Sequence, residues 1–136
     1  MVYTPAPPDP TDVVTDLIDA HVRQLGGQYS SEHYRLAEVV GRYTTVGGAT
    51  VETKALAKFE RNVLGDRQRT VAVGAAAQCM GHGCADPSSG ESFVEPVPLD
   101  TNRHDVATAV LPHIQTAREW AQAHAERCRA QRYAGR

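Results

Sequence analysis

SSEHYRLAEVVGRYTTVGGATVETKALAKFERNVLG, residues 30–65, is the stretch on which the fold turns. Gly47 and Gly48 divide it. Before them, Tyr34, Leu36, Ala37 and Val40 supply an apolar side behind a capping serine at 30 or 31. After them, Leu56, Phe59, Val63 and Leu64 recur at helical intervals between Thr50 and a stop at Gly65. The spacing predicts two helices joined by a glycine turn. Upstream, TDVVTDLIDAHVRQLGG (11–27) predicts another. Thr11 can cap it, Asp12 suits its positive end, and Val14, Leu17, Ile18, Val22 and Leu25 form its stripe before Gly26 and Gly27.

From Thr70 the period changes. TVAVGAAAQC (70–79) reads as a strand, weakened by Gly74, and SFVEPVPL (92–99) as a returning strand that Pro96 and Pro98 confine to a sheet edge. Thr101 or Asn102 caps a last helix whose face runs through Val106, Val110, Leu111 and Ile114 to about Gln131, with Pro112 kinking or interrupting it. The expected fold is therefore α+β. A flexible tail (1–10) leads into a layer of three helices (11–68). A β-hairpin and long C-terminal helix follow (69–131), in the ββα order of a zinc finger, and a basic tail (132–136) ends the chain. All of it is expected to form one compact domain.

The chain has 136 residues, enough for one real core. Net charge is −2, which gives no global basic footprint for nucleic acid. Lys54 and Lys58 are the only lysines, and this arginine-rich usage looks like that of a GC-rich bacterial genome. No run approaches the roughly 20 apolar residues of a membrane helix, and MVYTPAPPDP lacks the form of a signal peptide. A cytoplasmic location is expected, where three cysteines are thiols or ligands rather than disulfides.

Two of those cysteines, Cys79 and Cys84, bracket MGHG. A second pair, His124 and Cys128, lies four apart on the last predicted helix and so shares one face. Cys-x4-Cys followed by His-x3-Cys offers the four soft or borderline donors that zinc takes in a tetrahedron. The 39 residues between Cys84 and His124 exceed the usual finger spacing, but a helix of roughly 30 Å can retrace the returning strand. His82 is an alternative ligand, while His104 and His113 read as helix-surface residues. Trp120, one turn before His124, is placed to shield the site. Four protein donors point to a closed, structural site and not to an enzyme, and the Cys-x-x-Cys that zinc deaminases pair with a His-x-Glu is missing. The bland alternative is that all three cysteines are buried thiols.

CMGHGC and REWAQAHAERCRA resemble small uncharacterised actinobacterial (or phage and plasmid) zinc-finger-like proteins with a Cys knuckle and a Trp-Ala-x-x-His-x3-Cys helix. The resemblance covers roughly residues 70–130 through short motifs. It implies that Cys79, Cys84, His124 and Cys128 bind zinc, and it implies no activity. RLAEVVGRY and TVETKALAKFERNVLG are more faintly similar to the second and third helices of winged helix-turn-helix regulators, which implies DNA binding. Arg127, Arg129, Arg132 and Arg136 would then contact phosphate. The expectation is a non-catalytic, zinc-stabilised module recognising DNA or a partner protein, with homo-oligomers allowed and no membrane. The competing reading is a metal-free structural subunit of a larger phage or plasmid assembly.

Overall fold

From Val51 to Phe59 the chain alternates but for Leu56: Val51, Thr53, Ala55, Ala57 and Phe59 are buried, while Glu52, Lys54 and Lys58 are partly exposed. That is a period of two, the signature of a strand with one covered face. A computed structural model of the chain describes residues 9–25, 33–61 and 69–130. Its elements are α1 (Pro10–Leu25), β1 (His33–Thr44), β2 (Thr50–Arg61), β3 (Arg69–Cys79), β4 (Ser92–Phe93), β5 (Val97–Pro98) and α2 (Arg103–Arg127). Over 33–61, the described part of the stretch expected to form two central helices, the chain is a long antiparallel hairpin, and the three-helix layer over 11–68 is overturned; residues 26–32 and 62–68, with the expected serine cap and the stop at Gly65, lie outside the described residues. With it goes the winged helix, because both helices that suggested it are strands.

The sheet order is β1-β2-β3-β4, all antiparallel, with β5 also pairing β3. Both helices cover one face. α1 and α2 pack on each other and on β1 and β2, and α2 also packs on β3. The core between the layers is small-sided, as the scarcity of aromatics requires. Val71, Val73, Ala75, Ala77 and Cys79 of β3 meet Val106, Val110, Ile114, Ala117, Ala121 and Ala125 of α2 within one cluster. The alanines on both sides let the helix lie close to the sheet.

β1 does not alternate cleanly because its register shifts between Val39 and Gly41. Leu36 and Tyr43 oppose Ala57 and Val51 on the helix-covered side despite their odd separation. Val40, the extra residue, is fully buried, and its carbonyl accepts from Arg118 Nη2 at 2.8 Å. The bulge thus flips the parity of the strand midway.

The ends of the helices follow local rules. Asp9, not Thr11, caps α1: its Oδ1 accepts from Thr11 N at 2.8 Å, and Pro10 opens the helix. Val14, Leu17 and Ile18 are buried as the stripe requires, but Val22 is 40% exposed. Asn102 caps α2 by accepting from the amides of His104 and Asp105. Pro112 does not interrupt that helix, which runs unbroken with the proline on its exposed side. The returning strand reduces to the two short pieces β4 and β5.

β4 comes unusually close to β3 at Gly74. A Cβ there would sit 2.3 Å from Ser92 O and 2.7 Å from Phe93 Cδ1. The glycine that seemed to weaken the strand is what lets β4 pair. Phe93 then lies on the sheet's open face, with Lys58 Nζ 4.6 Å from its ring centroid.

His21 is the buried polar group of α1. It stacks on Phe59 of β2 at 3.7 Å between ring centroids. Burial, and then the positive charge of Arg69, hold its imidazole below the ordinary value. The folded state therefore favours neutral His21, whereas the unfolded chain takes up a proton below about pH 6.5. This contribution to stability is complete above that pH and is lost as pH falls through the depressed folded value. Denaturant unfolding at pH 7 and pH 5 is expected to show a larger loss for the wild type than for His21→Leu; equal losses would refute the assignment.

Candidate metal centre

β3 ends at Cys79, whose side chain points into the helix-covered core because 71, 73, 75 and 77 do. The chain then turns, and the following loop is tied back to the same strand. Cys79 N donates to Pro87 O at 2.7 Å, Ser89 N donates to Ala77 O at 3.0 Å, and Gln78 bridges Ser88. These ties bring Cys84 to the end of the sheet. On the other layer, His124 lies in the last turn of α2 and Cys128 is its C-cap, with Cys128 N donating to His124 O at 2.8 Å.

The four residues converge. One ligand atom from each of Cys79, Cys84, His124 and Cys128 lies within 4.8 Å of all the others. Cys79 Sγ and Cys128 Sγ are 3.9 Å apart, as are Cys84 Sγ and Cys128 Sγ, and Cys84 Sγ is 3.4 Å from His124 Nε2. Tetrahedral zinc with bonds of about 2.3 Å to sulfur separates two thiolates by about 3.8 Å. The cluster fits that geometry with little movement. A two-iron cluster would divide its four ligands between separate metals and spread them wider.

Burial, first of all, pushes the Cys79 thiol up to about 11. Within that net value the Gly81 amide pulls it down by donating to Sγ at 3.4 Å, and the neighbouring thiols of Cys128 and Cys84 push it up. A bare thiolate is thus unwelcome here, and binding of a divalent cation would expel protons, so metal affinity falls as pH falls.

A hairpin turn completes the site. Val46 N donates to Ala125 O and Gly47 N to Cys128 O, at 3.0 and 3.2 Å, satisfying carbonyls that a helix end leaves open. A Cβ on Gly47 would fall 2.4 Å from Ala130 O and 2.5 Å from Arg129 O. No larger residue lets the turn press on the segment carrying Cys128. Sequence reasoning missed this contribution because it assigned the turn to a helical pair.

The other expected site residues are placed as follows. His82 is exposed in the loop and is not one of the converging four. His113 is half-buried, with Nδ1 2.6 Å from Ser92 Oγ, and so is more than a surface residue. Arg127 and Arg129 are exposed beside the centre; Arg132 and Arg136 lie outside the described residues. Trp120 stacks on the His124 ring at 4.6 Å and 12°. His124 Nδ1 is buried with no hydrogen-bond partner, so it lacks the acceptor that usually orients a ligating imidazole. The indole is the group that fixes the plane of this ring. Trp120→Ala is therefore expected to weaken metal retention about 10-fold, the loss typical of removing a group that orients a ligand. Competition with a chromogenic chelator reads this directly; a variant that loses stability but competes like the wild type places Trp120 in the core alone.

A cleft of about 540 Å³ lies farther toward the start of α2, lined chiefly by Pro10, Leu111, Pro112, Ile114, Gln115 and Arg118. Among the described residues its walls include no cysteine, histidine or carboxylate. The described residues contain one cluster of metal-binding type, and it joins the end of a four-stranded path to the end of the helix covering it. No helix among the described residues is long and apolar enough to cross a membrane. No family model, curated protein or solved structure matches the chain.

Proposed function

We propose that the protein is a non-catalytic binding module whose fold is stapled by zinc held by Cys79, Cys84, His124 and Cys128. The observation that carries this reading is the convergence of three thiols and an imidazole within 4.8 Å. Three sulfurs and one nitrogen suit zinc among divalent ions, and four protein donors fill its tetrahedron and leave no position for a water or substrate. Elemental analysis of untagged protein tests it: one zinc per chain, lost in the double variant Cys79→Ser, Cys128→Ser. A metal-free protein would return the cysteines to core packing.

A protein partner suits the surface better than DNA. Arg35 pairs with Glu91, and Arg42 with Glu52 at 3.1 Å, so part of the basic charge is answered within the molecule. Val46 and Met80, at 59% and 47% exposure, border the metal end, where the turn and the cysteine loop flank Ala130. Apolar side chains beside a rigid staple suit a protein contact. Titration of labelled duplex DNA at rising salt decides between the partners. The expected result is no salt-dependent affinity. Binding whose salt slope flattens by about three units when Arg127, Arg129 and Arg132 become Ala would establish DNA instead.

A further inference from the structure

We infer that Cys84 is an oxidation site: it is the first thiol to react with hydrogen peroxide, and it closes a disulfide with Cys128 that opens the metal centre. The inference rests on the zinc reading for its consequence, but the choice of sulfur follows from the geometry of the three thiols alone.

Cys79 and Cys128 are 4% and 9% exposed, whereas Cys84 is half-buried and reachable from solvent. Anchoring separates them as well. Cys79 is held in β3 with its amide on Pro87 O, and Cys128 by the helix end. Cys84 N has only a long contact, 3.5 Å, to Gly81 O. A disulfide needs the two sulfurs at about 2.0 Å, so one of a pair now 3.9 Å apart must travel. Cys84 is the one whose backbone can. Cys128 Sγ lies 3.9 Å from it and is the partner, because Cys79 Sγ is already engaged by the Gly81 amide.

The oxidant is hydrogen peroxide. Cys84 Sγ attacks one peroxide oxygen; an S–O bond forms, the O–O bond breaks, and hydroxide leaves. Cys128 Sγ then attacks Cys84 Sγ; the S–S bond forms, the S–O bond breaks, and a second hydroxide leaves. The two sulfurs give up two electrons in total, the peroxide takes them, and two protons from solvent complete two waters. Only Cys79 and His124 then remain as donors, too few for a structural zinc site.

The test treats zinc-loaded protein, its metal content measured beforehand, with a small excess of hydrogen peroxide. Metal release is followed by a chromogenic chelator and bridges are mapped by non-reducing peptide mass spectrometry. One Cys84–Cys128 bridge per zinc released, reversed by a dithiol reductant, is expected. A Cys79–Cys128 or Cys79–Cys84 bridge, or sulfinic acid without a bridge, overturns the assignment. Variants keep it decidable whatever the metal content. Cys79→Ser, folded or loosened, should still form the Cys84–Cys128 bridge. Cys84→Ser leaves Cys79 and Cys128 intact, 3.9 Å apart in the wild type, and should bridge at least 10-fold more slowly; bridging there at the wild-type rate overturns the primacy of Cys84. Protein purified without zinc sinks the metal reading but leaves the bridge map to judge the thiol chemistry.

Discussion

Removing zinc with a strong chelator, or replacing Cys79 and Cys128 together by serine, is expected to cost about 4 kcal/mol of unfolding free energy. This is the linkage value when free metal stands about a thousandfold above its dissociation constant. It is well below the roughly 10–16 kcal/mol by which zinc folds an isolated finger. The difference has a structural cause. The sheet and both helices share a core of their own, from Val14 and Ile18 of α1 through Val51 and Val71 to Ile114 of α2, and the four candidate ligands lie only at its end. The apo protein should therefore keep its sheet and lose the order of the cysteine loop, the last turn of α2 and the 45–49 turn. Differential scanning calorimetry reads the effect as a drop of roughly 12 °C in Tm. A Tm unchanged by chelation in protein shown to contain zinc would place the ion elsewhere.

Gly74→Ala is expected to have the next largest effect, a loss of roughly 3 kcal/mol, the upper range for overpacking. The new methyl would meet Ser92 O at 2.3 Å, and a backbone oxygen cannot rotate away. β4 must leave β3, which breaks the Gly74–Phe93 and Ala75–Ser92 pairs and the bond from Val94 N to Val73 O. Zinc retention should be nearly unchanged, because the cysteine loop is held separately by Ser88 and Ser89 against Gln78 and Ala77. Urea unfolding and chelator competition on the same variant check both halves. Destabilisation below about 0.5 kcal/mol, the size of an ordinary surface change, would mean that β4 can shift freely.

The two regions differed in legibility for physical reasons. The metal cluster needs only local facts: two cysteines flanking a tight turn, and a histidine and cysteine one helical turn apart. Those facts hold whatever the intervening fold is, so they survived an erroneous reading of the chain's first half. The hairpin was misread for two separate reasons. In β2, Leu56 and Phe59 happen to fall at helical spacing, and Leu56 is 7% exposed although it sits on the sheet's open side, opposite Gly74. That one apolar outward residue masked an otherwise strict alternation from Val51 to Phe59. In β1 the bulge at Val40 reverses the inward parity, so no single period describes the strand. A bulge is a tertiary event, marked in the sequence here only by Gly41. The β3 strand and α2 were readable because each keeps one period throughout.

The bonds from Val46 N to Ala125 O and from Gly47 N to Cys128 O have a use beyond closing the helix end. Neither residue is a ligand, and both sit in a turn more than seventy residues earlier in the chain than Ala125 and Cys128. Their amide hydrogens are protected from solvent exchange only while the end of α2 stays in place. A deuterium-exchange experiment can therefore read the state of the centre from a peptide that contains no cysteine or histidine. Slow exchange at Val46 and Gly47 would signal a seated helix end, and fast exchange a released one. Because the readout is remote from the ligands, it would register any event that frees Cys128, whether chelation, acid or oxidation, on a single clock.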